Sequence, residues 1–167
     1  MDEHPEGGPE RRQLLTQDVM ERTRIDEAMI GRLVDAFYSA VRADPLLGPI
    51  FLKQVADWDV HLGHMREFWS SVALLTGRYH GRPMAPHIRL ALETAHFDRW
   101  LALFEETALR ECPPAAAAHF LERAYRIAES FELGIAFHHG RMQPPGKRPR
   151  PDWMTAAEGQ RAGIATA

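Results

Sequence analysis

From Ile25 to His139 the apolar residues recur at steps of three and four, and no stretch alternates them with polar ones. A period near 3.6 lines up one face of a helix, whereas a half-buried strand needs a period of two. In DEAMIGRLVDAFYSAVRADP, Met29, Ile30, Leu33, Val34, Phe37 and Val41 mark one buried face. Thr23 or Asp26 can cap its start, and Pro45 bars continuation past Asp44. A second helix starts behind Asp57, with Trp58, His61, Leu62, Met65, Trp69 and Val72 as its stripe and Gly77 at its end. A third follows Thr94, with Phe97, Trp100, Leu101, Phe104 and Ala108 on one side, and stops at Cys112-Pro113-Pro114. Pro114 suits the first turn of a fourth, which turns Leu121, Ala124, Ala128, Phe131 and Ile135 inward. The expected fold is all-α, with four principal helices and a short one near His87.

The ends read differently. Residues 1–22 are polar and lack periodicity, so a flexible extension is expected there. Residues 140–167 are rich in proline and arginine and are expected to form a flexible tail, with Trp153 unassigned. The folded domain is expected over 23–139. At 167 residues the chain is long enough for one real core. A net charge of −3 gives no reason to expect a nucleic-acid surface. The single Cys112 excludes an internal disulfide. No apolar run reaches the roughly 18 residues of a membrane span, and no signal-peptide core precedes the helices. A cytoplasmic protein is expected, as a monomer or weak oligomer.

Polar groups interrupt the apolar faces at three places. His61 lies within the second stripe, Tyr38 flanks Phe37, and Trp100 is central on the third helix. Each must find a hydrogen-bond partner if buried, and each alone reads as ordinary core. Together, on three helices, they can line one pocket of the kind that takes a small ligand or cofactor. A further cluster lies in GRYHGRPMAPHIRLALETAHFDRW, where His80, His87 and His96 share one interrupted stretch. His80 sits in a turn. Pro86 can aim His87 from a short helix, and His96 shares a face with Trp100. Spacing alone leaves His87 and His96 level. His61 and His64, one turn apart, could share a zinc ion, although the H-E-x-x-H signature is missing. No P-loop, dinucleotide fingerprint or nucleophile elbow is present, and Cys112 lacks an activating base.

FYSAVRADPLLGPIF, WDVHLGHMREFWSSV, GRYHGRPMAPH and HFDRWLALFEET, in that order, resemble the third group of truncated haemoglobins. The glycine pairs of the family's first two groups are absent from the inter-helix positions. The resemblance implies a two-over-two helical sandwich that holds haem b (iron protoporphyrin IX). His87, in the G-x-P-x-x-x-H segment, matches the proximal iron ligand, and its 13-residue separation from Trp100 fits the family pattern. His96 is then expected to support a helix start. Tyr38, His61 and Trp100 match the distal ligand-stabilising residues, and His61 could bond Tyr38, gate entry or swing outward. Phe51 matches the phenylalanine packed on the haem, and Met65 lies one turn beyond His61. Arg78, Tyr79 and Arg89 are candidate partners for the haem propionates. The implied partners are small diatomic ligands (O2, NO, CO), without nucleic acid or membrane. Ligand retention by the distal donors points to NO-detoxifying or peroxide chemistry rather than bulk transport, with a separate reductase supplying electrons. The alternative is a helical-bundle zinc protein using His61 and His64.

Overall fold

The computed structural model describes residues 8–141. Among the described residues seven helices follow one another: α1 (Gly8–Thr23), α2 (Glu27–Ala43), α3 (Gly48–Gln54), α4 (Trp58–Leu74), α5 (Met84–His87), α6 (Thr94–Glu111) and α7 (Pro114–His138). Two pairs form the body. α2 packs on α4 and α6 on α7, and the pairs meet through α2 with α6 and α4 with α7. No strand occurs among the described residues.

The four long helices fall where the apolar period puts them. Asp26 is the cap of α2, its carboxylate accepting the Met29 N–H at 2.7 Å. Met29, Ile30, Leu33, Val34, Phe37 and Val41 are all buried. Asp57 caps α4 by accepting the Asp59 and Val60 N–H groups. α4 stops sooner than Gly77 suggests, because Leu75 takes the left-handed conformation (φ 61°) that closes the last turn. Its final carbonyls are met from α7, where His119 bonds Ala73 O at 2.8 Å and Arg123 donates to Val72 O at 3.0 Å.

Two helices correct the sequence reading. Residues 8–22, expected as a flexible extension, are helical. They are rich in good helix formers, and α1 buries Val19 and Thr23 against the body through contacts with α4 and α7. A helix that buries so little of one face carries no clear period. Thr23 ends α1, its hydroxyl bonding Val19 O at 2.6 Å, and so does not cap α2. α3 also lies where the apolar period marks no helix. Asp44 Oδ1 accepts the Leu46 and Leu47 N–H groups, and Arg99 of α6 bonds Oδ2 at 2.6 Å. A side chain at Gly48 would place a Cβ 2.7 Å from Arg42 O, so the corner between α2 and α3 closes on glycine alone. The basic proline-rich run and Trp153 lie outside the described residues.

Candidate functional site

A cavity of about 270 Å³ opens among α2, α3, α4, α6, α7 and the corner that carries α5. Its wall is mostly apolar, with Phe51, Met65, Phe68, Phe97 and Phe131 among the lining side chains. The nitrogen- and oxygen-bearing side chains that line it belong to Tyr38, Gln54, His61, Trp69, His87, His96 and Trp100. An apolar pocket with a few convergent polar groups is what a small-molecule site requires.

His87 and His96 both line this space, and their hydrogen bonds distinguish them. His87 Nδ1 lies 2.6 Å from the Pro83 carbonyl. A carbonyl only accepts, so Nδ1 carries the proton and Nε2 keeps its lone pair. His96 is wired in the opposite sense. Its Nδ1 accepts the Glu93 backbone N–H at 3.0 Å, so that nitrogen is bare and the ring proton sits on Nε2. His87 can therefore offer a lone pair to a metal, and His96 offers a donor. The same bond ties His96 into the start of α6.

His87 is held locally. It is the last residue of the four-residue α5, and its ring tilts against Phe131 with centroids 4.9 Å apart. Met84, one turn earlier, fits beside α7 because residue 134 is glycine: a Cβ there would meet Met84 Cε at 2.7 Å. Burial pulls the His87 pKa below the ordinary range, opposed by the bond to Pro83 O. A neutral imidazole is the form that ligates a metal.

Another part of the wall is held by aromatic packing. Tyr38 is buried, with ring contacts to Phe37 at 5.0 Å and Phe51 at 5.9 Å. Burial pushes its phenol well above the ordinary range, so the hydroxyl stays a donor at neutral pH. Trp100 stacks on Phe104 (5.5 Å, 13°), which stacks in turn on Trp69 (4.8 Å, 18°), and Phe37 meets Trp100 edge-on at 5.5 Å. His61 meets Tyr38 perpendicular at 5.2 Å. Its Nε2 is buried without a hydrogen-bond partner among the described residues, so the Tyr38 hydroxyl does not bond it. Burial lowers the His61 pKa, and so do His87 and His64 nearby.

The remaining expected residues divide between the cavity and other places. Phe51 and Met65 line the cavity; Arg78, Tyr79 and Arg89 do not. Arg78 pairs with Glu27 at 3.0 Å, and Tyr79 packs edge-on against Phe68 at 5.3 Å. His80 is exposed, as expected of a turn. The zinc alternative finds no third ligand, since no group of three or more His, Cys, Asp or Glu suited to a metal occurs among the described residues. His64 itself is exposed. Cys112 is buried, and burial together with Glu111 pushes its thiol up to about 11, far from a reactive thiolate. Sequence reasoning missed Gln54 and the Pro83 carbonyl. A backbone acceptor has no residue signature, and Gln54 sits on α3, which is too short to show an apolar period.

No family model matches the chain. Over 113 residues it is 33% identical to a group 3 truncated haemoglobin of Campylobacter jejuni, a span covering 65% of this chain and 89% of that protein. The crystal structure of a group III truncated haemoglobin from the same species superposes with a TM-score of 0.63 at 32% identity, covering 66% of this chain and 91% of that one. The likeness of sequence and the likeness of fold therefore agree: the chain belongs to the group III truncated haemoglobins.

Proposed function

We propose that the chain binds haem b in this cavity through His87 and takes a small diatomic ligand (O2, NO or CO) beside Tyr38, His61 and Trp100. The observation that carries the proposal is the proton arrangement of His87, whose Nδ1 is committed to Pro83 O and whose Nε2 lone pair is free. The residues fit the group: one neutral imidazole with a fixed tautomer, an apolar wall, and a second imidazole whose buried Nε2 lacks a partner among the described residues. Haem, when bound, supplies an iron that a histidine nitrogen ligates and that keeps a position open to a diatomic molecule. The chain's own residues do the rest. His87 is oriented by Pro83 O and Phe131. Tyr38 and Trp100 carry O–H and N–H donors at the cavity wall, in mostly apolar surroundings that strengthen a hydrogen bond to a polar ligand. Their aromatic contacts fix both rings, so little ordering is needed when a ligand arrives. Such donors favour retention of the ligand over bulk delivery, at about 1 kcal/mol for each neutral bond.

Visible absorption of the full chain supplied with haem, before and after reduction and carbon monoxide, tests the reading. The expected result is an intense Soret band that shifts with carbon monoxide, is lost in His87→Ala and persists in His96→Ala. A band that persists in His87→Ala and disappears in His96→Ala would reverse the assignment of the ligand. A protein that takes up no haem would overturn the proposal.

A further inference from the structure

If the cavity holds haem, the two carboxylates of that cofactor need partners. The arginines suggested by the sequence are not in the wall, and neither arginine nor lysine lines the cavity among the described residues. Two of its polar side chains, Gln54 and His96, have no other assignment. His96 is the more constrained of the two. It is half-buried, it lines the cavity, and its Nδ1 is taken by the Glu93 N–H. An imidazole whose Nδ1 accepts can present only an N–H at Nε2. The bond that starts α6 thus makes this cavity-lining residue an obligate donor at Nε2.

We infer that His96 is a carboxylate-binding residue: its Nε2–H holds an acidic edge of the cofactor. The inference rests on the haem reading of the cavity. It assigns the two histidines complementary work from their tautomers, a lone pair from His87 and a proton from His96. A hydrogen bond to a carboxylate is the stronger, charge-assisted kind.

The test separates this role from that of starting a helix. A glutamate or glutamine three residues into a helix can accept the same backbone N–H that His96 accepts. His96→Glu therefore keeps the acceptor at the start of α6 and replaces the donor by an anion. His96→Gln keeps the acceptor and retains N–H donors. The full chain is loaded either with haem or with its dimethyl ester, which has no free carboxylate. Loss to an excess of a haem-scavenging apoglobin is then followed by absorbance. His96→Glu is expected to release haem roughly tenfold faster than the parent, as fits one charge-assisted bond at a partly exposed site. It is expected to release the ester at the parental rate, and His96→Gln is expected to restore most of the haem retention. Equal acceleration for both porphyrins would show a structural role alone and overturn the inference, as would no acceleration. A parent that takes up neither porphyrin overturns the haem reading itself, an outcome distinct from these.

Discussion

His87 and Tyr38 face one cavity and are fixed in opposite ways. His87 stands on a helix of four residues, bonded to a carbonyl four positions back and touching α7 through Phe131. Tyr38 is part of a 17-residue helix, and its ring is packed by α2, α3 and α4 side chains that are far apart in sequence. One wall is positioned by local chain geometry and the other by the core. Damage to the core should therefore disturb the Tyr38 side and the whole fold together, whereas changes near α5 should alter the site at little cost in stability.

Phe104→Ala breaks the core-built wall most directly. Phe104 is fully buried and stacks on both Trp69 and Trp100, so its loss is expected to cost about 3–5 kcal/mol in urea unfolding. A loss below about 1 kcal/mol would mean that the stack is not what holds Trp100. Asp44→Ala comes next. It strips two backbone N–H groups and Arg99 of a shared acceptor at the corner before α3, with an expected cost of about 2 kcal/mol. Burial alone would raise the Asp44 pKa, but its bonds from Leu47, Arg99 and Leu46 hold it below the ordinary 3.8. Its contribution is complete above that value and fades as pH falls through the lower, folded-state pKa. Asp44→Asn should accordingly be less sensitive than the parent to acid below about pH 4; an unchanged acid midpoint would exclude Asp44 as its source.

His61 gives a smaller effect. Its pKa in the folded protein is depressed from 6.5, so the unfolded chain binds the proton more readily and stability falls as pH drops below that value. His61→Leu is expected to flatten unfolding free energy against pH between 6.5 and the depressed value, by at most about 1.4 kcal/mol per pH unit for one proton. An unaltered slope would assign the acid sensitivity to His87 and His119, whose pKa values burial also lowers. Gly134→Ala, on the locally held side, is expected to change stability by less than about 0.5 kcal/mol, because alanine's helix propensity of about 1 kcal/mol offsets the displacement of Met84. A cost above about 2 kcal/mol would show that the α5 corner is as rigidly built as the core.

The same contrast explains what was legible beforehand. The caps Asp26 and Asp57, the stop at Pro113-Pro114 and the buried stripes of α2, α6 and α7 are local signals, and the helices stand where those signals put them. α1 and α3 were not legible. α1 buries only Val19 and Thr23, and α3 is seven residues whose one buried position is a glycine. Neither leaves a repeating apolar face to read. The stripe of α4 was legible but its meaning was not. Of its six residues only Trp69 is fully buried; Trp58, Leu62, Met65 and Val72 pack against the core while staying partly exposed, and His61 and Met65 border the cavity.

Period and punctuation in the chain were enough to fix an all-helical fold and to bring His87, His61, Tyr38 and Trp100 forward, since both act over a few residues. Spacing leaves His87 and His96 level, and the family resemblance points to His87. The tautomer of each ring is different in kind: it turns on which partner each Nδ1 meets, the Pro83 carbonyl or the Glu93 amide, and so on which ring nitrogen keeps a proton. Composition and spacing carry no record of a proton's place; it is set by backbone groups that come within about 3 Å only when the chain has folded.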